Sequence, residues 1–137
     1  MTETRNPYGL YLDLPGTVVG LRPHVEEALM VEGFGVLTEI DVQATLKAKL
    51  GEDVPAQLIL GACNPPLAHR AMETERDIGL LLPCNVTLRE LPDGKTRVGF
   101  MDVRGMMAMV GNAGLTEIGD AVSERFARVM AKLASTG

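Results

Sequence analysis

The chain has no tryptophan, and aromatic residues make up only 4% of its 137 positions. A core built on stacked rings is therefore excluded, and Leu, Val, Ile and the eight Met must fill it. Basic runs are also missing: 13 Lys and Arg stand against 18 Asp and Glu, a net charge of −5. Nucleic-acid binding rests on a basic surface that displaces counterions, so we expect no nucleic-acid partner. The same charge opposes an anionic membrane surface. No stretch approaches the roughly 20 consecutive apolar residues of a membrane span. Met1–Pro7 is polar and lacks the apolar centre of a signal peptide. We therefore expect no membrane association, a cytoplasmic location, and a flexible tail over residues 1–7. With only two cysteines and no secretory signal, free thiols are expected.

Chemical signatures are equally scarce. There is no Ser-His-Asp order, phosphate-binding loop, Rossmann glycine pattern, HExxH or paired-Cys zinc motif. No cofactor, no metal and no catalytic residue is indicated. Internal repeats, low-complexity stretches and linkers are absent too.

What remains has globular composition, with 46% apolar and 23% charged residues. One domain over 8–137 can build its own core at this size. Tyr8–Leu14 alternates and stops at Pro15-Gly16, which predicts a strand. Residues 17–32 carry Val18, Leu21, Val25, Ala28 and Leu29 near helical spacing, with the well-formed part starting at Pro23 and ending at Gly33. Phe34–Ile40 reads as a strand. Asp41 caps a helix over 42–50, closed by Gly51, with Leu46 and Leu50 on its buried face. Ala56–Cys63 is a nearly unbroken apolar run, the pattern of a central strand buried on both faces. Asn64 caps the next helix, with Pro65 in its first position, and Ala68, Ala71 and Met72 face inward.

Ile78–Arg89 reads as a long strand with Leu80, Leu82, Cys84, Val86 and Leu88 on one face, and Pro83 marks a bulge or an edge. Leu91–Lys95 turns this strand into a partner over Thr96–Met101. Asp102 caps a Met-rich helix over 103–110, ended by Gly111. Asn112 caps the last helix, where Leu115, Ile118, Val122, Phe126, Val129 and Leu133 give the clearest amphipathic stripe. The order β-α-β-α-β-α-β-β-α-α suits an α+β sheet with helices on one side.

Three segments together carry a family resemblance: Gly33–Asp41, Leu60–Pro65 with Ala68-His69, and Gly79–Asn85. Met106–Val110 and Asn112–Leu133 add to it. The chain resembles the Domain of Unknown Function 302 family over about residues 8–134. The resemblance implies a twisted, mainly antiparallel sheet with helices packed on it, of the TATA-box-binding-like topology class. It implies no reaction, and shared topology carries no DNA binding with it.

Two Cys-Asn pairs concentrate the remaining interest. Cys63 precedes a helix start, where free backbone N–H groups and the helix dipole favour thiolate; its structural reading is a small buried hydrophobe. Cys84 lies on an alternating apolar face, which assigns its thiol to the core and turns Asn85 the other way. Asn64 and Arg70 offer polar contacts, although Asn64 is equally explained as a cap. Cys63, His69 and Cys84 make a Cys2His set, but their spacings of six and fifteen residues match no zinc pattern. Met101, Met106, Met107 and Met109 are soft donors for Cu(I) or haem, or else core fillers and an apolar interface. His24, Glu39 and Asp41 read as surface and cap residues. The expectation is a non-enzymatic, homodimeric domain holding a small ligand. Its site would comprise Cys63, Asn64, Pro65, His69, Arg70, Cys84 and Asn85, centred on the first pair. The alternative is a thiol redox or soft-metal protein using Cys63.

Overall fold

Glycine and proline cut the chain into short segments, and six of these pair into one antiparallel sheet in the computed structural model, which describes residues 3–136. The elements are β1 (Glu3–Asn6), β2 (Gly9–Leu14), α1 (Val18–Val31), β3 (Gly35–Asp41), α2 (Val42–Leu50), β4 (Gln57–Cys63), α3 (Pro65–Thr74), β5 (Cys84–Glu90), β6 (Thr96–Met101), α4 (Val103–Val110) and α5 (Ala113–Thr136). A 3-10 segment, Arg76–Leu81, leads into β5. The sheet order is β1-β2-β6-β5-β4-β3, with every neighbouring pair antiparallel. The β5–β6 hairpin therefore sits between two earlier ribbons, β1–β2 and β3–β4. The result is a single α+β domain with its helices packed on one side of the sheet.

Alternation along the strands supplies the core. Leu12 and Leu14, Leu58 and Leu60, Val86 and Leu88, and Val98 and Phe100 are buried beneath the helices. The predicted stripe of α5 is buried in full, from Leu115 to Leu133. Aromatic scarcity is offset by concentration. All three phenylalanines of the chain meet, with Phe126 4.8 Å from Phe34 and 5.3 Å from Phe100 between ring centroids.

Several expectations are corrected. Residues 3–6 form an edge strand instead of a tail, because Asn6 Oδ1 accepts from the Tyr8 and Gly9 amides and closes a tight turn. Met1 and Thr2 of that tail lie outside the described residues. Helix α1 starts at Val18, not at Pro23, since Thr17 Oγ1 caps it through the Gly20 amide. Pro23 sits inside the helix on an exposed side, where water can satisfy the carbonyl it leaves unpaired. Helix α2 has no buried residue: Leu50 is exposed and Leu46 only half-buried. β4 is buried on its helix face through Leu58, Leu60 and Ala62, whereas on the other face Gly61 is buried and Gln57 and Ile59 are only half-buried. In α3, Leu67 and Ala71 are buried, Ala68 is half-buried and Met72 exposed. The strand expected over 78–89 begins only at Cys84, and Leu80 is 90% exposed in the 3-10 segment. Pro83 precedes the ladder and does not interrupt it.

Candidate functional site

β4 and β5 bring the two Cys-Asn pairs together at one end of the sheet. Their register sets Ala62 opposite Cys84 and Gly61 opposite Asn85, so Cys63 leaves the ladder one residue beyond Cys84. Past those strand ends lies a cavity of about 290 Å³. Cys63, Asn64 and Cys84 line it from the strand side. Leu67, Ala68 and Met72 of α3 line it too, with Met107 of α4 and Ile118 and Val122 of α5 opposite. Leu37 and Thr38 of β3, Gly79, Leu82 and Pro83 before β5, and Phe34, Ala62 and Val103 complete the wall. Among the described residues, no charged side chain lines it. The size falls at the lower end of the roughly 300–1,000 Å³ typical of small-molecule pockets.

The two thiols differ. Both are free. Cys84 is buried, and burial pushes its thiol up to about 12, with the neighbouring Cys63 adding to the effect. It is neutral at ordinary pH and therefore a poor nucleophile. Cys63 is half-buried and reachable from the cavity.

The α3 N-terminus does not offer Cys63 the free amides expected of a helix start. Its first two positions are Pro65 and Pro66, which have no N–H. The next amide, of Leu67, donates to Asn64 Oδ1 at 3.3 Å, and that of Ala68 donates to the Asn64 carbonyl. Asn64 is thus a cap, as its structural reading holds. Its Nδ2 also donates to the Glu32 carbonyl at 3.4 Å. Arg125 Nη1 donates to the same carbonyl at 2.9 Å, and Arg128 Nε to Glu32 Oε1 at 2.7 Å. The end of α1 is therefore clasped by α3 and α5.

The remaining expected site residues lie elsewhere. His69 is exposed and faces Glu73 at 3.5 Å, one turn along α3. Arg70 pairs with Glu117 of α5 at 3.6 Å. Pro65 is exposed and outside the cavity wall. Asn85 points to the uncovered face of the sheet, where it joins Tyr8, Tyr11 and Met101 around a shallow depression. Cys63, His69 and Cys84 thus do not gather as a metal set, and among the described residues no group of three or more His, Cys, Asp or Glu does so. The expected methionine cluster is dispersed. Met107 reaches the cavity, Met101 lies by Asn85, Met106 is half-buried and Met109 is exposed. Sequence reasoning named Met107 with the soft-donor methionines but did not single out Leu67, Ala68, Met72, Ile118 and Val122, which line the cavity. Their helical spacing marked most of them as core, and that signal does not separate a packed face from a cavity wall.

A family model described as Domain of unknown function DUF302 matches residues 14–133. The crystal structure of an uncharacterized conserved DUF302 protein from Bacillus stearothermophilus is similar, with a TM-score of 0.85 and 27% identity. The match covers 93% of this chain and 99% of that one. Comparison with curated proteins gives no match. No helix among the described residues is long and apolar enough to cross a membrane.

Proposed function

The chain belongs to the DUF302 family, and from that premise and the geometry of its cavity we propose that it is a binding domain for a small, neutral, apolar molecule. One observation carries the reading. A cavity of about 290 Å³ is walled mainly by aliphatic, phenyl, thioether and thiol side chains, with the Thr38 hydroxyl and the Asn64 amide as its polar groups and no charged side chain among the described residues. Its one strongly polar side chain, Asn64, is already committed to Leu67 and Glu32. An ionic ligand would lose its hydration there without compensation. An apolar one would gain about 25 cal/mol for each Å² it buries.

The reading is non-enzymatic and cytoplasmic. The acidic net charge of −5 supports a role without nucleic acid or membrane partners. We place a second copy of the chain along β3. This outer strand carries exposed Leu37 and Ile40 and presents unpaired backbone groups at its free edge. Sedimentation of the wild type and of Ile40→Lys tests this; a wild-type monomer would remove it.

The ligand reading is tested by titrating the neutral dye N-phenyl-1-naphthylamine into the protein and into Ala68→Phe, which fills the cavity from α3. Saturable fluorescence in the wild type, lost in the variant, is expected. Absence of saturable binding to the wild type would overturn the reading.

A second reading has its own observation. Cys63, Cys84, Met72 and Met107 place two thiols and two thioethers around one cavity. Soft donors of this kind suit a monovalent soft ion such as Cu(I). Stoichiometric Cu(I) uptake, lost in Cys63→Ser and weakened in Met107→Leu, is the expected result of that reading.

A further inference from the structure

We propose that the cavity is a covalent trap for neutral, apolar α,β-unsaturated carbonyl compounds, with Cys63 as the attacking thiol. This rests on the reading of the cavity as an apolar binding site and names the chemical class that it takes. The strand-end geometry supplies the nucleophile. Cys63 is half-buried at the cavity wall, close to where β4 passes into α3. Cys84, 6% exposed, lines the same cavity, and among the described residues its thiol is free and makes no side-chain hydrogen bond. The wall thus presents soft, polarisable sulfur without ionic groups, which matches a soft carbon electrophile better than a hard one.

The closed first turn of α3 narrows the class. Pro65 and Pro66 have no amide hydrogen, and the Leu67 amide is taken by Asn64. No backbone donor of that turn remains for a carboxylate or phosphate, and no Lys or Arg lines the wall. Anionic electrophiles are disfavoured for the same reason that anionic ligands are.

The step balances without a further reagent. Sγ of Cys63 bonds to the β-carbon, and the π pair of the C=C bond shifts toward the carbonyl. The α-carbon then takes a proton from water, while the thiol proton passes to solvent. One S–H bond and one C=C π bond are lost, and one S–C bond and one C–H bond are gained. Nothing is oxidised and no group leaves. Cys84, its thiol pushed up to about 12 by burial, does not compete.

Since the first turn of α3 leaves no free amide for Cys63, the gain in rate comes from holding the electrophile against the sulfur, an effective-concentration effect. It must then grow with the apolar surface of the electrophile. Each methylene that enters the cavity multiplies the rate by about three- to fourfold.

The test treats the wild type with straight-chain 2-alkenals from propenal to 2-nonenal. Each rate is divided by that of N-acetylcysteine with the same aldehyde. Intact mass and peptide mapping locate the adduct. Expected are a single adduct on Cys63, a relative rate that climbs about three- to fourfold per methylene until the cavity is full, and no such gain with iodoacetate. Cys63→Ser abolishes the adduct, and Cys84→Ser retains it. A relative rate that stays flat along the series, or an adduct mapped to Cys84 or His69, overturns the proposal. Binding of N-phenyl-1-naphthylamine to Cys63→Ser separates the two claims. If the dye binds while the series is flat, the trap falls and the binding site stands. If the dye does not bind and the series is flat, both fall.

Discussion

Asn64 bridges α3 and α1: Nδ2 donates to the Glu32 carbonyl, 32 residues earlier, while Oδ1 accepts from the Leu67 amide. One buried amide therefore caps the start of one helix and clasps the end of another. Asn64→Ala removes both bonds. It should cost about 1–2 kcal/mol in urea unfolding. Asn64→Ser, which keeps a capping oxygen but loses the donor to Glu32, should recover about half of that loss. An alanine variant as stable as the wild type would show that Arg125 and Arg128 suffice to hold the end of α1.

Cys84 links stability to alkaline pH. Its folded-state thiol is pushed from an ordinary 9.0 up to about 12. Below pH 9 both states hold the proton and the group has no pH-dependent effect. Between about pH 9 and 12 the unfolded chain loses its proton while the folded chain keeps it. Stability therefore falls as pH rises, by about 1.4 kcal/mol per unit at most. Cys84→Ala should lose this slope, so its unfolding free energy subtracted from that of the wild type should shrink from pH 9 upward. Equal slopes in the two proteins would refute the assignment.

Two glycines in one region predict opposite outcomes. A Cβ on Gly61 would stand 2.2 Å from Thr38 Oγ1 and 2.7 Å from Pro83 Cγ, whereas one on Gly79 would meet nothing within 4 Å. Gly61→Ala should cost about 1–3 kcal/mol through overpacking. Gly79→Ala should stay within about 0.5 kcal/mol of the wild type. Denaturation midpoints compare the pair directly.

On the uncovered face, Arg97 grips Asp13 with two bonds, Nε to Oδ1 at 2.7 Å and Nη2 to Oδ2 at 2.9 Å. The bond to Arg97 holds the Asp13 carboxyl below its ordinary 3.8. Its contribution is present above that value and is lost as pH falls through the lower folded-state value. Both side chains are about one-third exposed, so solvent screening keeps the effect small. Asp13→Asn should cost up to about 1 kcal/mol at neutral pH and nothing in strong acid, as read by urea unfolding at several pH values.

The α5 stripe was legible because one face of a long helix repeats a signal over 24 residues. The four caps Asp41, Asn64, Asp102 and Asn112 were legible because a short polar side chain before an apolar run serves the same amides wherever it occurs. Leu80-Leu81-Leu82 misled because a short apolar run has no period of its own, and a 3-10 turn can display such residues to solvent. Pro23 misled because the rule that places proline at a helix start is only a preference, and Thr17 held a stronger cap six residues before it. The meeting of Cys63 with Cys84 depends on the β4–β5 register, which no local pattern encodes. The cavity needs that register together with three helices and the 3-10 segment, so its wall could be read only as core.

The sheet order also fixes a sequence of events in folding. The ribbons β1–β2 and β3–β4 do not touch within the sheet; each meets only the β5–β6 hairpin that enters between them. During synthesis the chain emerges with two separate ribbons, each too small to be stable alone. Neither has a neighbour until residues 84–101 arrive. The six-stranded sheet therefore cannot be completed before residues 84–101 are present. Such late, distant pairing belongs to slowly folding topologies, and until it is complete the inner edges of both ribbons are open to pairing with other chains.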